Sequence, residues 1–336
     1  MLENKSILIT GGTGFFGQKF VKIVLAEYHP ARVVIFSRDE FKQHRMRLEG
    51  FDHPSLRYFI GDVRDLGRLY RALDGVDVVI HAAAMKQVPA CEYNPIEAVK
   101  TNVMGAANLI EASIDRRVHK VIAVSTDKAA APVNLYGATK LCADKLFIAG
   151  NSYSGLHKTR FSVVRYGNVV GSRGSVVPLF MRLSRTGSLP ITDTRMTRFW
   201  LTAEQGARFV LGCAGIMEGA EVFVPKIPSM KIVDLAAAID PNCKIEVVGI
   251  RPGEKIHEVL VPPDDARTTV EFEDKYVILP GFQPRVLQHY VDRNGGRLCP
   301  EHFSYTSDTN SQWLSSEELR TILKQEFPNA DEASEN

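Results

Sequence analysis

The first half of the chain alternates short apolar runs with longer stretches whose apolar positions recur at helical spacing. The apolar runs are rich in β-branched residues and nearly continuous, which is typical of strands that helices cover on both faces. They predict strands over residues 6–10, 32–37, 56–60, 76–81, 120–125 and 161–166. The stretches between them predict helices over residues 15–28, 39–48, 65–73, 95–115 and 136–149.

Repeated strand–helix units predict an α/β fold with right-handed crossovers and a doubly wound parallel sheet of the Rossmann type. After residue 168 this alternation weakens, and glycine, proline, serine and arginine become frequent. We therefore predict a Rossmann domain over residues 1–167, completed by a strand near 221–225, and a smaller substrate-binding lobe over residues 168–328. The acidic end, residues 329–336, lacks large apolar side chains, so a disordered tail is expected there.

Composition argues against several classes of protein. The net charge of +2 over 336 residues is too small to indicate a nucleic-acid partner. The five cysteines lie far apart without a CxxC pair, which predicts no metal site, no disulfide framework and a cytoplasmic location. The chain shows no signal peptide, and no apolar run approaches the ~20 residues of a membrane helix, so no membrane partner is expected.

Glycines are concentrated between the first predicted strand and the first predicted helix, in the run TGGTGFFG. Their GxxGxxG spacing lets a backbone turn tightly and approach a pyrophosphate at a helix N-terminus. A purely structural turn is the alternative, but the position within the first strand–helix–strand unit favours dinucleotide binding. Cofactor contacts are therefore assigned to Gly11, Thr13, Gly14, Phe15, Phe16 and Gly17.

The end of the second strand predicts which dinucleotide is bound. NAD-selective folds usually have an acidic residue here that accepts from the ribose hydroxyls, whereas this chain has Ser37, Arg38 and then Lys42. A hydroxyl and two cations suit a 2′-phosphate, so we predict NADP. Asp39 and Glu40 keep NAD possible, and the two cations could instead belong to a solvated helix face. The residues assigned to this end of the cofactor are Ser37, Arg38, Lys42 and Gln43.

Two further strand ends offer cofactor contacts. Asp62 follows the third strand and could accept from the adenine amine or cap the next turn. The small residues after His81 let a cofactor backbone lie close. Lys86 could reach a phosphate, a ribose or the substrate, or it could face solvent. The residues assigned here are Asp62, Val63, Ala82, Ala83, Ala84 and Lys86.

Tyr136 and Lys140 stand four residues apart at the start of a predicted helix, so their side chains share one face of it. The spacing alone is a weak signal, but it follows the strand end Ser125-Thr126-Asp127-Lys128 by a short loop. A nearby ammonium lowers the pKa of a phenol, so Tyr136 is predicted to exchange a proton with a sugar hydroxyl. Lys140 is also assigned to the nicotinamide ribose, and Ser125 to the cofactor.

These motifs carry a resemblance to a known family. The runs TGGTGFFG, HAAA, STDK, YGATK and RYGNVVGSRGSVVP resemble those of extended short-chain dehydrogenases/reductases. More narrowly, STDKAA, GSRGSVVP, TRMTRFW and RPGEK are similar to motifs of the inverting UDP-N-acetylglucosamine 4,6-dehydratases that start pseudaminic acid synthesis. The resemblance spans about residues 5–320. It implies a homo-oligomer that keeps NADP bound and makes UDP-2-acetamido-2,6-dideoxy-L-arabino-4-hexulose.

The pair Asp127-Lys128 carries the mechanistic part of the resemblance, since retaining relatives have Asp-Glu at this point. Lys128 is predicted to be the acid/base at C5, with a pKa lowered by Lys140 and by partial desolvation. Asp127 would assist the departing C6 hydroxyl, and Tyr136 would take the C4 hydroxyl proton. Exchanged roles for Asp127 and Lys128 are the nearest alternative, and a surface ion pair is the structural one. Thr126 is assigned to the same catalytic set.

The resemblance also implies a substrate side. Asn168 would contact the substrate, Val169 the nicotinamide, and the glycine-rich run after them the uridine diphosphate. That run could instead be only a crossover. Arg251 and Glu254 of RPGEK would meet a phosphate and a ribose hydroxyl, or merely pair with each other. The residues assigned to the substrate are Lys86, Asn168, Arg173, Gly174, Ser175, Val176, Thr194, Arg251 and Glu254.

Two other functions stay open. One is a retaining dehydratase or an epimerase that acts on a related UDP-sugar. The other, of a different class, is a non-catalytic NADP-binding regulator, against which the intact set of Tyr136, Lys140, Asp127 and Lys128 argues.

Overall fold

The computed structural model describes residues 2–172, 174–281 and 284–327, so the expected disordered tail lies outside the described residues. The strands are β1 Ser6–Thr10, β2 Arg32–Ser37, β3 Leu56–Ile60, β4 Val78–His81, β5 Lys120–Thr126, β6 Arg160–Tyr166, β7 Asn168–Val169, β8 Ser188–Ile191, β9 Thr197–Leu201, β10 Val222–Pro225, β11 Ser229–Lys231, β12 Lys244–Val247, β13 Val259–Val261, β14 Thr269–Glu271, β15 Lys275–Ile278, β16 Arg297–Leu298 and β17 Tyr305–Thr306.

The helices are α1 Phe15–Glu27, α2 Glu40–Leu48, α3 Leu66–Ala72, α4 Val88–Tyr93, α5 Pro95–Ala98, α6 Gly105–Asp115, α7 Leu135–Tyr153, α8 Val176–Leu183, α9 Ala203–Ile216, α10 Ile232–Ile239, α11 Pro284–Asn294 and α12 Ser316–Glu326. A π-helical segment, Val99–Met104, joins α5 to α6. A 3₁₀ turn, Asp127–Ala129, follows β5 directly. Further 3₁₀ segments occupy Gly155–His157, Ser184–Thr186 and Pro263–Thr268.

Within the described ranges, ten strands form one central sheet in the order β16-β14-β15-β10-β6-β5-β4-β1-β2-β3. The strands from β10 to β3 run parallel, and β1 and β2 are buried along almost their whole length, as apolar runs between two helix layers require. This confirms the predicted α/β Rossmann architecture. β10 returns to the sheet beside β6.

The far edge of this sheet differs from the expected division of the chain. β15, β14 and β16 add to it in antiparallel orientation beyond β10. They belong to the part of the sequence assigned to the second lobe, residues 168–328, yet they extend the sheet of the first domain. The change of composition after residue 168 marks where the parallel crossovers end. It does not mark where the sheet ends.

The predicted helix over residues 95–115 is interrupted by the π-helical segment, and the short helix α4 before it was not predicted. Asn102, buried in this segment, accepts a hydrogen bond from the Met85 amide (2.8 Å) and donates one to the Thr139 hydroxyl (3.0 Å). Such insertions are frequent near functional sites. Here the insertion ties the loop after β4 to α7, and a regular apolar period along the sequence cannot reveal it.

A second apolar core holds the remaining lobe together around Trp200, Leu235 and Leu319. Its small sheets have the orders β11-β9-β7 and β12-β8. Because β7 pairs with β9, the lobe begins immediately after β6 and borders the carboxyl edge of the parallel strands. None of the helices in the described ranges has the length and apolar character needed to cross a bilayer.

α7 approaches the 3₁₀ turn after β5 at a glycine. A Cβ added to Gly137 would overlap the carbonyl oxygen of Lys128 and press on Pro132. The same glycine donates its amide to the side chain of Asn134, the N-cap of α7, at 2.8 Å. The start of α7 and the end of β5 therefore meet at a distance that only glycine permits.

We predict that Gly137→Ala destabilises the protein by about 1–3 kcal/mol through overpacking, and displaces the 3₁₀ turn. The matched control is Gly212→Ala, in the exposed middle of α9, where a Cβ meets nothing within 4 Å. That change should stabilise the protein by about 0.5–1 kcal/mol, since glycine disfavours a helix interior. Chemical denaturation of both variants measures the difference, and equal stabilities would contradict the tight approach.

Candidate active site

A cleft of about 590 Å³ opens at the carboxyl ends of the parallel strands, where ligands bind in open α/β sheets. It runs from the glycine-rich loop after β1, past the ends of β2, β4 and β5, to the segment after β6. Of the residues assigned from sequence, its lining includes Gly11, Thr13, Gly14, Phe15, Phe16, Gly17, Ser37, Arg38, Lys42, Asp62, Val63, Ala82, Ala83, Ala84, Lys86, Ser125, Thr126, Asp127, Lys128, Tyr136, Lys140, Asn168, Val169, Gly174 and Ser175.

The glycine-rich loop forms a cradle between β1 and α1. Gly11 has a φ of +69°, and a Cβ there would lie 3.0 Å from the backbone of Ala83. A Cβ on Gly17 would lie 2.6 Å from the Gly12 backbone, so α1 packs directly onto the loop. The N-terminus of α1 has no side-chain cap, and its amides are available to a pyrophosphate. These features fit a dinucleotide.

At the end of β2 the two predicted phosphate ligands, Arg38 and Lys42, stand at the cleft. Asp39 caps α2 by accepting from the Lys42 amide at 3.0 Å, and its other oxygen lies 2.9 Å from Lys42 Nζ. Arg38 is 58% exposed and lies 3.7 Å from a carboxylate oxygen of Asp62. Gln43 is instead turned into the protein, outside the cleft lining, where its amide donates to the hydroxyl and carbonyl of Ser37.

Asp62 has its carboxylate engaged by arginine. It accepts from the Arg64 amide at 3.0 Å and from Arg64 Nε at 2.8 Å. Partial burial alone would raise the pKa of Asp62, but the bonds from Arg64 and the charge of Arg38 lower it below its ordinary value. Asp62 therefore stabilises the turn after β3 as a carboxylate, and it also borders the cleft.

Contrary to the expectation from its spacing, Lys140 does not lower the pKa of the Tyr136 phenol. Its buried ammonium donates to the carbonyl of Val124 at 2.9 Å. Burial raises the pKa of Tyr136 to about 12, and the cation that opposes this rise is Lys128. The expectation that Lys140 lowers the pKa of this phenol is wrong, because the Lys140 side chain is directed to the end of β5.

Behind Lys140 lies a buried polar group that the sequence reasoning missed. Asp144, one helical turn further along α7, accepts from the Ser125 hydroxyl at 2.8 Å and lies 3.6 Å from Arg165 Nη2. Burial lowers the pKa of Lys140, while the Asp144 carboxylate opposes that fall. The i,i+4 spacing of the two residues is the signal that could have revealed the pair.

The 3₁₀ turn after β5 brings three charges together. Lys128 Nζ lies 3.1 Å from Asp127 Oδ1 and 3.1 Å from Glu258 Oε1. Both carboxylates are almost fully buried, with exposures of 1% and 2%. The Thr126 hydroxyl donates to Asp127 Oδ1 at 2.9 Å. Glu258 was not assigned from sequence, although it directly follows the RPGEKIH run.

The pKa of Lys128 is shifted in the direction opposite to the one expected. Burial alone would lower the pKa of this lysine, but the carboxylates of Asp127 and Glu258 outweigh burial and raise it. The predicted lowering by Lys140 is therefore wrong, since two anions face the ammonium. Burial raises the pKa of Asp127, an effect that Lys128 opposes.

Four polar atoms of residues that line the cleft have no hydrogen-bond partner among the described residues: Thr101 Oγ1, Asp127 Oδ2, Asn168 Oδ1 and Ser175 Oγ. Buried polar groups in folded proteins nearly always have partners. A ligand in the cleft would therefore find two acceptors and two hydroxyls unengaged by the protein. In the described ranges no group of three His, Cys, Asp or Glu side chains is arranged to hold a metal ion.

Of the remaining substrate assignments, those within the described residues, Val176, Thr194, Arg251 and Glu254, fall outside the cleft lining. Val176 begins α8, Thr194 is exposed, and Arg173 lies outside the described residues. Arg251 is exposed, and its guanidinium stands 3.9 Å from Glu254, the mutual pairing that the sequence left open. A ligand longer than a dinucleotide would have to extend beyond this lining to meet these side chains.

The RPGEK loop instead contacts the segment between β5 and α7. Asn134, the N-cap of α7, donates to the carbonyl of Gly253 at 2.8 Å. Lys255 Nζ donates to the carbonyl of Ala130 at 2.6 Å. The loop thus holds both ends of the segment between β5 and α7.

Comparisons with known proteins agree with this architecture. Residues 7–280 match a family described as polysaccharide biosynthesis protein. A protein of Campylobacter jejuni serotype O:2, named UDP-N-acetylglucosamine 4,6-dehydratase (inverting), is 52% identical over 335 residues, which cover 96% of this chain and 98% of its own. A protein of the same name from C. jejuni strain 81-176 is 54% identical over 329 residues. A Rickettsia canadensis protein named UDP-glucose 4-epimerase is 39% identical over 336 residues.

Solved structures show the same similarity. Pen from Bacillus thuringiensis superposes with a TM-score of 0.88 at 37% identity, covering 97% of this chain and 99% of its own. DesIV from Streptomyces venezuelae, a dTDP-glucose 4,6-dehydratase determined with NAD bound, superposes with a TM-score of 0.67 at 25% identity, covering 74% and 86%.

Proposed function

The chain belongs to the polysaccharide biosynthesis protein family, among the extended short-chain dehydrogenases/reductases, and we propose that it is an inverting UDP-N-acetylglucosamine 4,6-dehydratase. The observation that carries the proposal is the Asp127–Lys128 pair, which lines the cleft beside Tyr136. The product is UDP-2-acetamido-2,6-dideoxy-L-arabino-4-hexulose, the first intermediate of pseudaminic acid synthesis. Similarity over almost the full length to two relatives of that name supports it.

The reaction sets a definite demand for proton transfer. C4 is oxidised, C5 loses its proton, the C6 hydroxyl leaves as water, and C5 regains a proton on the opposite face. A bound nicotinamide dinucleotide would supply the acceptance of hydride from C4 and its return to C6, so no net redox change occurs. The protein must therefore provide groups for the C4 hydroxyl proton, for the C5 proton and for the leaving hydroxyl.

Tyr136, Asp127 and Lys128 meet this demand, and solvent supplies the proton that returns to the opposite face of C5. The Tyr136 phenol takes the proton of the C4 hydroxyl, with Lys128 as the cation that favours its ionised form. Burial raises the pKa of Asp127, which makes its carboxylate a stronger acceptor, and its Oδ2 has no partner in the described part of the chain. Lys128 holds its proton between two carboxylates.

These resting charges favour the arrangement that the sequence left as the alternative. Asp127 accepts the C5 proton, and the Lys128 ammonium donates to the departing C6 hydroxyl. The donor then starts each turnover in the protonation state that its neighbours stabilise, and the raised pKa of Asp127 makes its carboxylate a stronger acceptor. Lys140, bound to the carbonyl of Val124, orients the start of α7 and reaches the cleft as a second cation.

We predict that the wild-type protein in D₂O converts UDP-N-acetylglucosamine to a 6-deoxy product with deuterium at C5. Asp127→Asn should lose both product and C5 exchange, because the acceptor is absent. Lys128→Ala should lose the 6-deoxy product by about a thousandfold but keep C5 exchange into recovered substrate. NMR of the sugar from pH 7 to 9 measures both, since loss of the ammonium raises the pKa of Asp127.

Lys145→Ala, an exposed lysine on the same helix α7, is the matched control and should behave as wild type. Absence of C5 deuterium from Lys128→Ala at every pH would assign the C5 proton to Lys128 instead. A wild-type product that retains its C6 hydroxyl would indicate an epimerase, the activity named for the Rickettsia relative. Unchanged substrate would indicate a non-catalytic regulator.

The cofactor in this proposal is NADP. Arg38 and Lys42 both border the cleft at the end of β2, where a 2′-phosphate would lie. Asp39, the acidic residue that could favour NAD, has its carboxylate engaged by the amide and ammonium of Lys42. The side chain of Arg38 is more than half exposed, so its guanidinium is accessible to a phosphate.

We expect Arg38→Ala to weaken NADP binding tenfold or more while changing NAD binding by less than about threefold, because one or more charge-assisted hydrogen bonds to the phosphate are lost. Arg71→Ala, an exposed arginine on α3 outside the cleft lining, is the control. Isothermal titration of the protein stripped of nucleotide measures both affinities. Equal affinity of the wild-type protein for NAD and NADP would contradict this choice of cofactor.

The proposed enzyme is a cytoplasmic homo-oligomer. The helical segments from α4 to the π turn contact one another and expose large apolar side chains: Tyr93 (87%), Ile96 (63%) and Met104 (52%). Neighbouring apolar side chains left in water are typical of surfaces that another protein covers. A second copy of the chain fits this surface, since closed symmetric pairs are the commonest assembly of soluble proteins.

We predict that Ile96→Glu shifts the protein to a smaller species, because the contact between copies would have to bury an unpaired charge. The stability of the monomer should change little. Light scattering after size exclusion measures the mass. The control is Leu156→Glu, which alters an even more exposed apolar residue beyond the end of α7. A wild-type protein that is already monomeric at micromolar concentration would refute the proposed assembly.

A further inference from the structure

Glu258 reaches the catalytic turn from the distant part of the chain. It lies 130 positions after Lys128, immediately before β13. Its amide donates to the Ser307 hydroxyl at 2.9 Å, and its carbonyl accepts from the Ser307 amide at 2.9 Å. The backbone of Glu258 is thus fixed on both sides, and its buried carboxylate is directed to Lys128 Nζ at 3.1 Å.

Arg198 is the second cation near this carboxylate. Its Nε lies 3.7 Å from Glu258 Oε1. The guanidinium is held in place by donating to the carbonyls of Thr197 (2.7 Å), Ile256 (2.9 Å) and Lys255 (2.9 Å). Because these bonds are to backbone carbonyls, the position of Arg198 is fixed by the lobe and does not depend on a contact with Lys128.

The charged and titratable groups in the described residues that interact most strongly with Lys128 are Asp127, Glu258, Arg198, Tyr136 and Lys255. Two of them are anions and two are cations. If Glu258 were neutral, Lys128 would face one carboxylate and two cations. The ammonium form of Lys128 therefore depends on Glu258 as well as on the adjacent Asp127, whose charge has the larger effect.

We propose that Glu258 is a positioning residue that holds Lys128 as an ammonium ion against Asp127, so that Lys128 begins each turnover as a proton donor. The ion pair is inferred from the distances between these side chains, whereas its consequence for turnover rests on the proposed function. Glu258 does not border the cleft lining, so it acts through Lys128 rather than on substrate.

The loss of the Glu258 charge should shift the pH dependence of activity in one direction. The two carboxylates raise the pKa of Lys128, so removing one lowers it. The fraction of neutral amine at a given pH then increases. If Lys128 must be protonated, the alkaline limb of kcat/KM moves to lower pH, while activity well below that limb changes little.

The direct test is the reactivity of the Lys128 amine in Glu258→Gln, a change that keeps the shape and removes the charge. Competitive acetylation with acetic anhydride at pH 9, read by peptide mass spectrometry, reports the neutral fraction of each lysine. We expect at least tenfold more acetylation of Lys128 than in wild type, which corresponds to a fall of about one pKa unit. Acetylation within twofold of wild type would overturn the proposal.

The matched control is Glu271→Gln. Glu271 is also a partly buried carboxylate paired with a lysine, Lys226, at 2.8 Å, but it lies at the far edge of the sheet. This variant should raise the acetylation of Lys226 and leave that of Lys128 unchanged. The alkaline limb of kcat/KM should move in Glu258→Gln and stay in place in Glu271→Gln.

A second variant covers the case in which Glu258→Gln does not fold. Glu258→Asp keeps the charge at a slightly greater distance, so Lys128 should remain within about threefold of wild-type acetylation. Acetylation of Lys128 in Glu258→Asp more than tenfold above wild type would also overturn the proposal, because this variant retains the carboxylate that is proposed to hold the ammonium.

These outcomes are separable from the proposed function. If wild-type protein leaves UDP-N-acetylglucosamine unchanged, the function fails, yet the acetylation of Lys128 still decides whether Glu258 sets its charge. If turnover is as proposed but Lys128 reacts equally with and without Glu258, only the positioning role fails.

Discussion

One ammonium group, that of Lys128, joins two distant parts of the chain at the cleft. It stands 3.1 Å from a carboxylate at the end of β5 and 3.1 Å from another that enters with β13. Buried carboxylates are tolerated only where an opposite charge and hydrogen bonds compensate them. The same contact that assembles the catalytic charges is therefore one that holds the second lobe against the central sheet.

Backbone contacts around this ion pair also both position the turn and hold the second lobe against the central sheet. Lys255 and Gly253 hold the two ends of the segment between β5 and α7, through Ala130 and Asn134. Gly137 then allows α7 to lie directly on the turn that carries Lys128. A displacement of the RPGEK loop would be transmitted to the turn, because the packing between them leaves no slack. The position of Lys128 depends on three separate stretches of sequence.

Much of the fold could be predicted because its signals are local. The strands β1 to β6 coincide closely with apolar runs, and the residues that line the cleft follow strand ends, where parallel topology brings them together. The π-helical segment was not predicted because one extra residue in a turn does not visibly change the spacing of apolar residues along the sequence. Glu258 escaped for a different reason, since no spacing along the chain relates it to Lys128. Gln43 follows the strand end at the expected spacing, but its amide is engaged inside the protein.

The two wrong pKa expectations share one cause. Sequence distance suggested that Lys140 would act on both Tyr136 and Lys128, but electrostatic effects depend on spatial distance and on what else is near. α7 directs Lys140 toward Val124, with Asp144 behind it, whereas Lys128 turns toward Asp127 and Glu258. Each lysine has its own anions, and the two sets are separated by the backbone of β5.

The balance of charge around the turn also bears on the difference between Asp-Lys and the Asp-Glu pair of retaining relatives. Here the carboxylates of Asp127 and Glu258 are offset by Lys128 and Arg198, with Lys255 as a further nearby cation. A glutamate in place of Lys128 would leave three carboxylates and two nearby cations in the same space, and at least one carboxyl would have to stay protonated. An Asp-Lys pair at the end of β5 and a buried glutamate before β13 thus form one electrostatic unit, in which each charge affects the protonation of the others.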